Sequence, residues 1–120
     1  VRAMAAMVGC DIHPVNNLRI LNALREQLGA RDEQVTTWVR RWIAEGFAPL
    51  EILIARHGGA FAFGDSLTLA DCFLVPQVYN ARRFGTDLSP YPRLVAAAAA
   101  AERIDAVATA RPEFQPDADH

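Results

Sequence analysis

An all-α fold, a bundle of about five to six helices in one domain, follows from three observations. Apolar residues recur at three- and four-residue intervals through every long segment of the 120-residue chain. No hairpin signal appears between alternating apolar runs. A helix start of unusual clarity lies in the middle: Thr68 is followed three residues later by Asp71, the spacing of a capping box in which each side chain can accept from the other residue's backbone N–H.

The elements follow in order. Residues 1–8 are helical in character from the first position, with no cap and no methionine at position 1, so the chain reads as entered part-way along a helix of a longer polypeptide. This helix runs towards Ile12, where Pro14 disfavours helical backbone at His13 and predicts a break or kink. Val15, Leu18, Leu21 and Leu24, with Ile20 and Leu28 alongside, predict a second helix, or the bent continuation of the first, stopping at Gly29. Val35, Trp38, Val39, Trp42, Ile43, Phe47, Leu50, Leu53 and Ile54 then mark a long helix from Arg31-Asp32-Glu33 to about His57, with Gly46 and Pro49 inside it and a kink expected there.

Residues 60–65 alternate briefly but are too short to need a sheet, and they lead into the capped helix. Leu67 and Cys72 flank the box where a hydrophobic staple packs. From Leu69 to Tyr79 this helix is apolar on nearly every face, which predicts burial, with Asp71 as a structural interior carboxylate supplied with backbone donors by the cap. Gly85 closes it after Arg82 and Arg83, cations favoured by the helix dipole. A proline-punctuated entry at residues 87–92 precedes the alanine-rich helix at 93–101, residues 104–110 form a short last helix, and 111–120 read as an extended tail.

Composition narrows the function classes. Hydrophobic residues make up 52% and charged residues 22%, the balance of a soluble globular domain. The net charge is −2 and all 12 basic residues are arginine, so no basic field for nucleic acid is present. Cys10 and Cys72, far apart in apolar helical contexts, read as buried thiols of a reducing compartment, hence a cytoplasmic protein, with Cys72 an inert core thiol. No run approaches the roughly 20 apolar residues of a membrane span. Cys10 and His13 have the spacing of half a zinc site without a second pair to complete it, so no metal site is assigned. Trp38 and Trp42, four apart on an apolar stripe, read as core or interface anchors.

Several segments together resemble one family: Cys10-Asp11-Ile12-His13-Pro14-Val15-Asn16-Asn17-Leu18-Arg19, the capping region from Gly64-Asp65 to Asp71, Val75-Pro76-Gln77-Val78-Tyr79-Asn80-Ala81-Arg82-Arg83-Phe84, Asp87-Leu88-Ser89-Pro90-Tyr91-Pro92 and Gln115-Pro116-Asp117. Across almost the whole chain they are similar to the C-terminal half of zeta-class glutathione transferases, in particular maleylacetoacetate and maleylpyruvate isomerases. The resemblance implies a two-domain, homodimeric, glutathione-dependent cis–trans isomerase. Its thioredoxin-like first domain, which binds glutathione and activates its thiol, is expected to be absent from this chain, leaving the isolated piece inactive. The helical domain's implied task is to supply cations for a dicarboxylic substrate.

On the resemblance, Arg19 and Arg83 are the substrate-binding arginines and His13 and Asn17 contact glutathione. Without the family match, each of these arginines would be read as a solvated helix-end residue, and so Arg82, which lacks the match, is read. Some members of the class carry glutamine where His13 stands, so a polar contact and not imidazole chemistry is what the resemblance supports. No catalytic residue is assigned within the chain. The competing reading is a non-catalytic helical interaction module of the same fold.

Overall fold

The path of the chain is set by one long helix and the elements laid across it. The structure, a computed structural model, describes residues 1–118, so Asp119 and His120 of the expected tail lie outside the described residues. The helices are α1 (Arg2–Ala6), running on as a π-helical turn at Met7–Ile12, then α2 (Leu18–Leu28), α3 (Asp32–His57), α4 (Leu69–Arg83), α5 (Pro92–Glu102) and α6 (Asp105–Thr109). Short 3-10 turns occupy Pro14–Asn16 and Pro112–Phe114. Among the described residues there is no strand, only an isolated bridge between Gly58 and Gly64. No helix among the described residues is long and apolar enough to cross a membrane.

The break at Pro14 has a defined form. His13 N–H donates to Val8 O at 2.9 Å, a bond spanning five residues, which widens the helix before the proline stops it. Asn17 takes extended backbone (ψ 146°) and its Oδ1 accepts from Arg19 N–H at 3.2 Å, so α2 is a separate helix with its own N-cap. At its far end Gly29, at φ +67°, turns the chain while Ala30 N–H reaches back to Leu24 O at 3.0 Å. Leu21 is buried, but Leu18 and Leu28 are 68% and 76% exposed, so the apolar face of α2 is narrower than its sequence spacing indicates.

Helix α3 runs unbroken for 26 residues through Gly46 and Pro49. Val35, Val39, Ile43, Phe47, Leu50 and Ile54 form its buried stripe at steps of three and four. Gly46 is required by packing, since a Cβ there would strike the side chain of fully buried Ile12. Helix α3 also starts α5. The Glu51 carboxylate accepts from Arg93 N–H at 2.9 Å and Leu94 N–H at 2.7 Å, a cap supplied from 42 and 43 residues away.

Helix α4 begins as the capping box predicts. Thr68 Oγ1 accepts from Ala70 N–H at 3.2 Å, and Asp71 Oδ2 accepts from Thr68 N–H at 2.9 Å. Its end is a full Schellman turn at Gly85 (φ +67°), with Gly85 N–H on Arg82 O at 3.0 Å and Thr86 N–H on Ala81 O at 2.9 Å. Burial along α4 corrects one expectation. Ala70, Asp71, Leu74, Gln77, Val78 and Ala81 face the core, whereas Leu69, Phe73 and Tyr79 are 53%, 37% and 44% exposed and Cys72 is exposed. An apolar composition on every face therefore does not bury this helix all round; one side is open.

Candidate cleft between the first helix and helix four

The open side of α4 faces the π turn and the Pro14 break across a cleft of about 640 Å³. From α4 come Phe73, Pro76, Gln77, Asn80 and Arg83, whose spacing of three and four places them on one helical face. Gly9, His13, Asn16 and Asn17 form the opposite wall. Gly9 permits the close approach, because a Cβ there would lie 2.8 Å from the Phe73 ring. The chain break has a role in this wall: His13 keeps helical backbone (φ −60°, ψ −46°) against the expectation set by Pro14, the break falls at extended Asn17 after the 3-10 turn at Pro14–Asn16, and His13, Asn16 and Asn17 of this stretch border the cleft opposite α4.

His13, Asn17 and Arg83, three of the residues singled out from sequence, line this one cleft. Arg19 is not among its lining residues; it is exposed on the first turn of α2, two residues past Asn17. Arg82 borders a separate apolar groove of about 540 Å³ with Leu67, Val75 and Val107, so the two neighbouring arginines point to different concavities. Arg83 and Tyr79 also border a third hollow, walled by Glu113, Gln115 and Asp117 of the C-terminal segment. That segment is not simply extended: Gln115 Nε2 donates to Thr109 O at 3.0 Å and Arg111 O at 3.1 Å, which folds it back beside α6. Arg83 makes no ion pair among the described residues.

Cys72 is corrected from a core thiol to an exposed one bordering the cleft, and Cys10 is exposed as well. Both are free thiols, so the inference of compartment from their burial has no structural basis. Leu67 and Cys72, expected as a staple, border the same groove at the surface. Trp38 anchors the Pro14 break, its Nε1 donating to Val15 O at 3.0 Å, and meets Trp42 edge to face at 5.6 Å. Among the described residues no three His, Cys, Asp or Glu come together as a metal site.

Sequence reasoning missed two wall residues as functional candidates. Gln77 is 4% exposed with its Nε2 enclosed and unpartnered, and the Oδ1 of Asn16 is likewise enclosed and unpartnered, although Asn16 Nδ2 donates to Val39 O at 3.4 Å. Neither carries a signal in the linear sequence, since the six residues from Gln77 to Arg83 amount to about 120° around the helix.

The glutathione S-transferase C-terminal domain family matches residues 18–100, more than half of the chain. The chain belongs to that family. Among relatives of this C-terminal domain, the maleylpyruvate isomerase of Ralstonia sp. is 52% identical over 98% of the chain and 56% of its own length. The maleylacetoacetate isomerase of Pseudomonas aeruginosa is 47% identical over 97% of the chain and 53% of its own length. A holo structure of maleylpyruvate isomerase, described as a bacterial zeta-class glutathione S-transferase, superposes with a TM-score of 0.95 at 51% identity over 98% of the chain and 57% of that protein. The maleylacetoacetate isomerase of Methylobacterium extorquens, solved with bound malonate and glutathione, gives 0.93 at 30% identity over 99% of the chain and 56% of that protein. The glutathione S-transferase domain described here thus spans little more than half the length of these relatives.

Proposed function

We propose that this domain provides the substrate pocket of a glutathione-dependent cis–trans isomerase acting on maleylacetoacetate- or maleylpyruvate-type diacids. The observation that carries the reading is the cleft itself, in which an unpaired arginine, Arg83, shares a polar wall with His13 and Asn17. The donor set fits glutathione and a carboxylate substrate: a guanidinium for a carboxylate, amides and an imidazole for peptide and carboxylate groups, and two enclosed amide atoms without partners. Bound glutathione would supply the thiol that adds reversibly to the cis double bond. The chain's own residues bind and orient. Arg83 holds one substrate carboxylate in a two-bond fork, Phe73 and Tyr79 flank the apolar carbon chain, and His13 and Asn17 make polar contacts to the tripeptide. Asn17 Oδ1 is engaged by Arg19 N–H, so its amide N–H2 is the end that donates. Arg19, outside the cleft lining, is the second carboxylate cation of this reading and the weaker one.

The test replaces the aligned segment of the Ralstonia sp. maleylpyruvate isomerase with residues 1–120. The chimera is expected to isomerise maleylpyruvate, and Arg83→Ala to lower kcat/KM by about 1.5–3 kcal/mol, the size of a charged hydrogen bond. Arg19→Ala should cost less, and Arg82→Ala should stay near the parent value. Equal losses at 82 and 83, or a silent Arg83→Ala, would remove the substrate-clamp assignment in favour of an interaction module.

A further inference from the structure

Among the described residues two polar side chains are buried, and they differ in one respect. Asp71 has both carboxylate oxygens on backbone N–H groups, whereas Gln77 leaves its amide nitrogen without a partner. An unpaired buried amide is destabilising, and an apolar side chain of similar shape would serve the core better. Gln77 differs from the unpartnered Trp42 Nε1 and Thr86 Oγ1 in lying at the wall of this cleft, where a partner that is not part of the chain can reach it.

We infer that Gln77 contacts substrate, its carboxamide pairing with a carbonyl or carboxylate oxygen of a short oxo-diacid whose far carboxylate is held by Arg83. This rests on the isomerase reading above. Gln77 and Arg83 both line the cleft from α4, six residues apart, a rise of about 9 Å along the axis and about 120° around it. Helical side chains lean towards the N-terminus, so the longer Arg83 reaches back towards Gln77 and shortens that gap to one a short diacid spans. Asn80 and Phe73 line the cleft from α4 as well, the first between the two anchors. Gln77 Nε2 is enclosed in this structure, so contact requires the carboxamide to turn about its broad terminal torsion and present N–H2 to the incoming oxygen. Gln77 would thus read the oxygen furthest from Arg83 and select ligands by length.

Two measurements decide it. In the 120-residue chain, titration with malonate followed by NMR is expected to move the Gln77 side-chain N–H2 resonances in the wild type, and Arg83→Ala to abolish the shift. Unmoved Gln77 resonances while the cleft's backbone signals shift would overturn the inference and leave the cleft intact; no shift anywhere in the cleft would overturn the isomerase reading as well. In the chimera, Gln77→Met is expected to lower kcat/KM for maleylpyruvate by about tenfold, with the KM for glutathione unchanged. The melting temperature of the Gln77→Met chain should be equal or higher, because an unpaired amide has been replaced by a thioether of similar length. A melting temperature that falls while the KM values for both maleylpyruvate and glutathione rise would show a structural role and reject the assignment.

Discussion

Both oxygens of Asp71 accept backbone N–H groups, from Thr68 at the start of its own helix and, at 2.9 Å, from Ala62 in the preceding loop. The capping box accounts for the first bond; the second ties the loop at residues 60–65 to α4 and was not readable from spacing. With the carboxylate 0% exposed, its removal leaves two N–H groups without partners, one of them in the core. Thr68→Ala should therefore cost about 1 kcal/mol, the value of an N-cap, and Asp71→Ala about 3 kcal/mol. Urea unfolding of the three proteins checks this. Equal, near-zero losses would place the helix start elsewhere. At this scale the sequence revealed a residue's chemistry better than its exposure: Asp71 was recognisable from its motif, but Cys72, one position on, lies on the open side because a helix turns about 100° per residue.

Between elements, the joints are long-range polar contacts between α3 and the start of α5, one from a side chain of α3 and one onto its backbone. Glu51 caps α5, and the Tyr91 hydroxyl donates to Ala44 O at 3.3 Å while its ring meets Phe47 edge to face at 5.6 Å. Neither contact is legible in a linear reading, which identified the proline-marked entry to α5 but not what satisfies its first N–H groups. Burial first, and then the charge of Asp87, push the Tyr91 hydroxyl above its ordinary value of 10.0. Above that value the unfolded chain ionises while the folded one retains its proton, so this contribution to stability is complete below about pH 10 and is lost as pH rises through the folded pKa. Tyr91→Phe should lose about 1 kcal/mol at neutral pH and show a shallower alkaline decline. Melting temperatures between about pH 8 and pH 12 test both, and parallel curves for the two proteins would reject the linkage.

Over the whole molecule, helix number and order were legible because each core stripe repeats at helical spacing, from Val35 to Ile54 in α3 most plainly. The faces of α4 were not, since an apolar helix has no moment to say which side is open. His13, Asn17 and Arg83 were drawn together by resemblance and lie in one cleft, while Gln77 needed coordinates, because a buried glutamine looks like any other in a sequence. The reading assigns thiol activation to a part outside these residues. The 120-residue chain with glutathione is thus expected to isomerise maleylpyruvate no faster than glutathione alone; a faster rate would require an activating group within the chain. The π turn at Met7–Ile12 has one more consequence. A helix that holds a surplus residue in one turn is the form an α-helix takes on accepting a one-residue insertion. Met4, Val8 and Ile12 stay in line on the core side because the wider turn reverses the drift that steps of four build up in an α-helix. The same six-residue span could close as regular helix after loss of one residue and leave His13 facing nearly the same way relative to Met4, because six residues of the wider turn and five of α-helix cover almost the same rotation. The π turn thus takes up a one-residue difference in length while holding the histidine against the cleft.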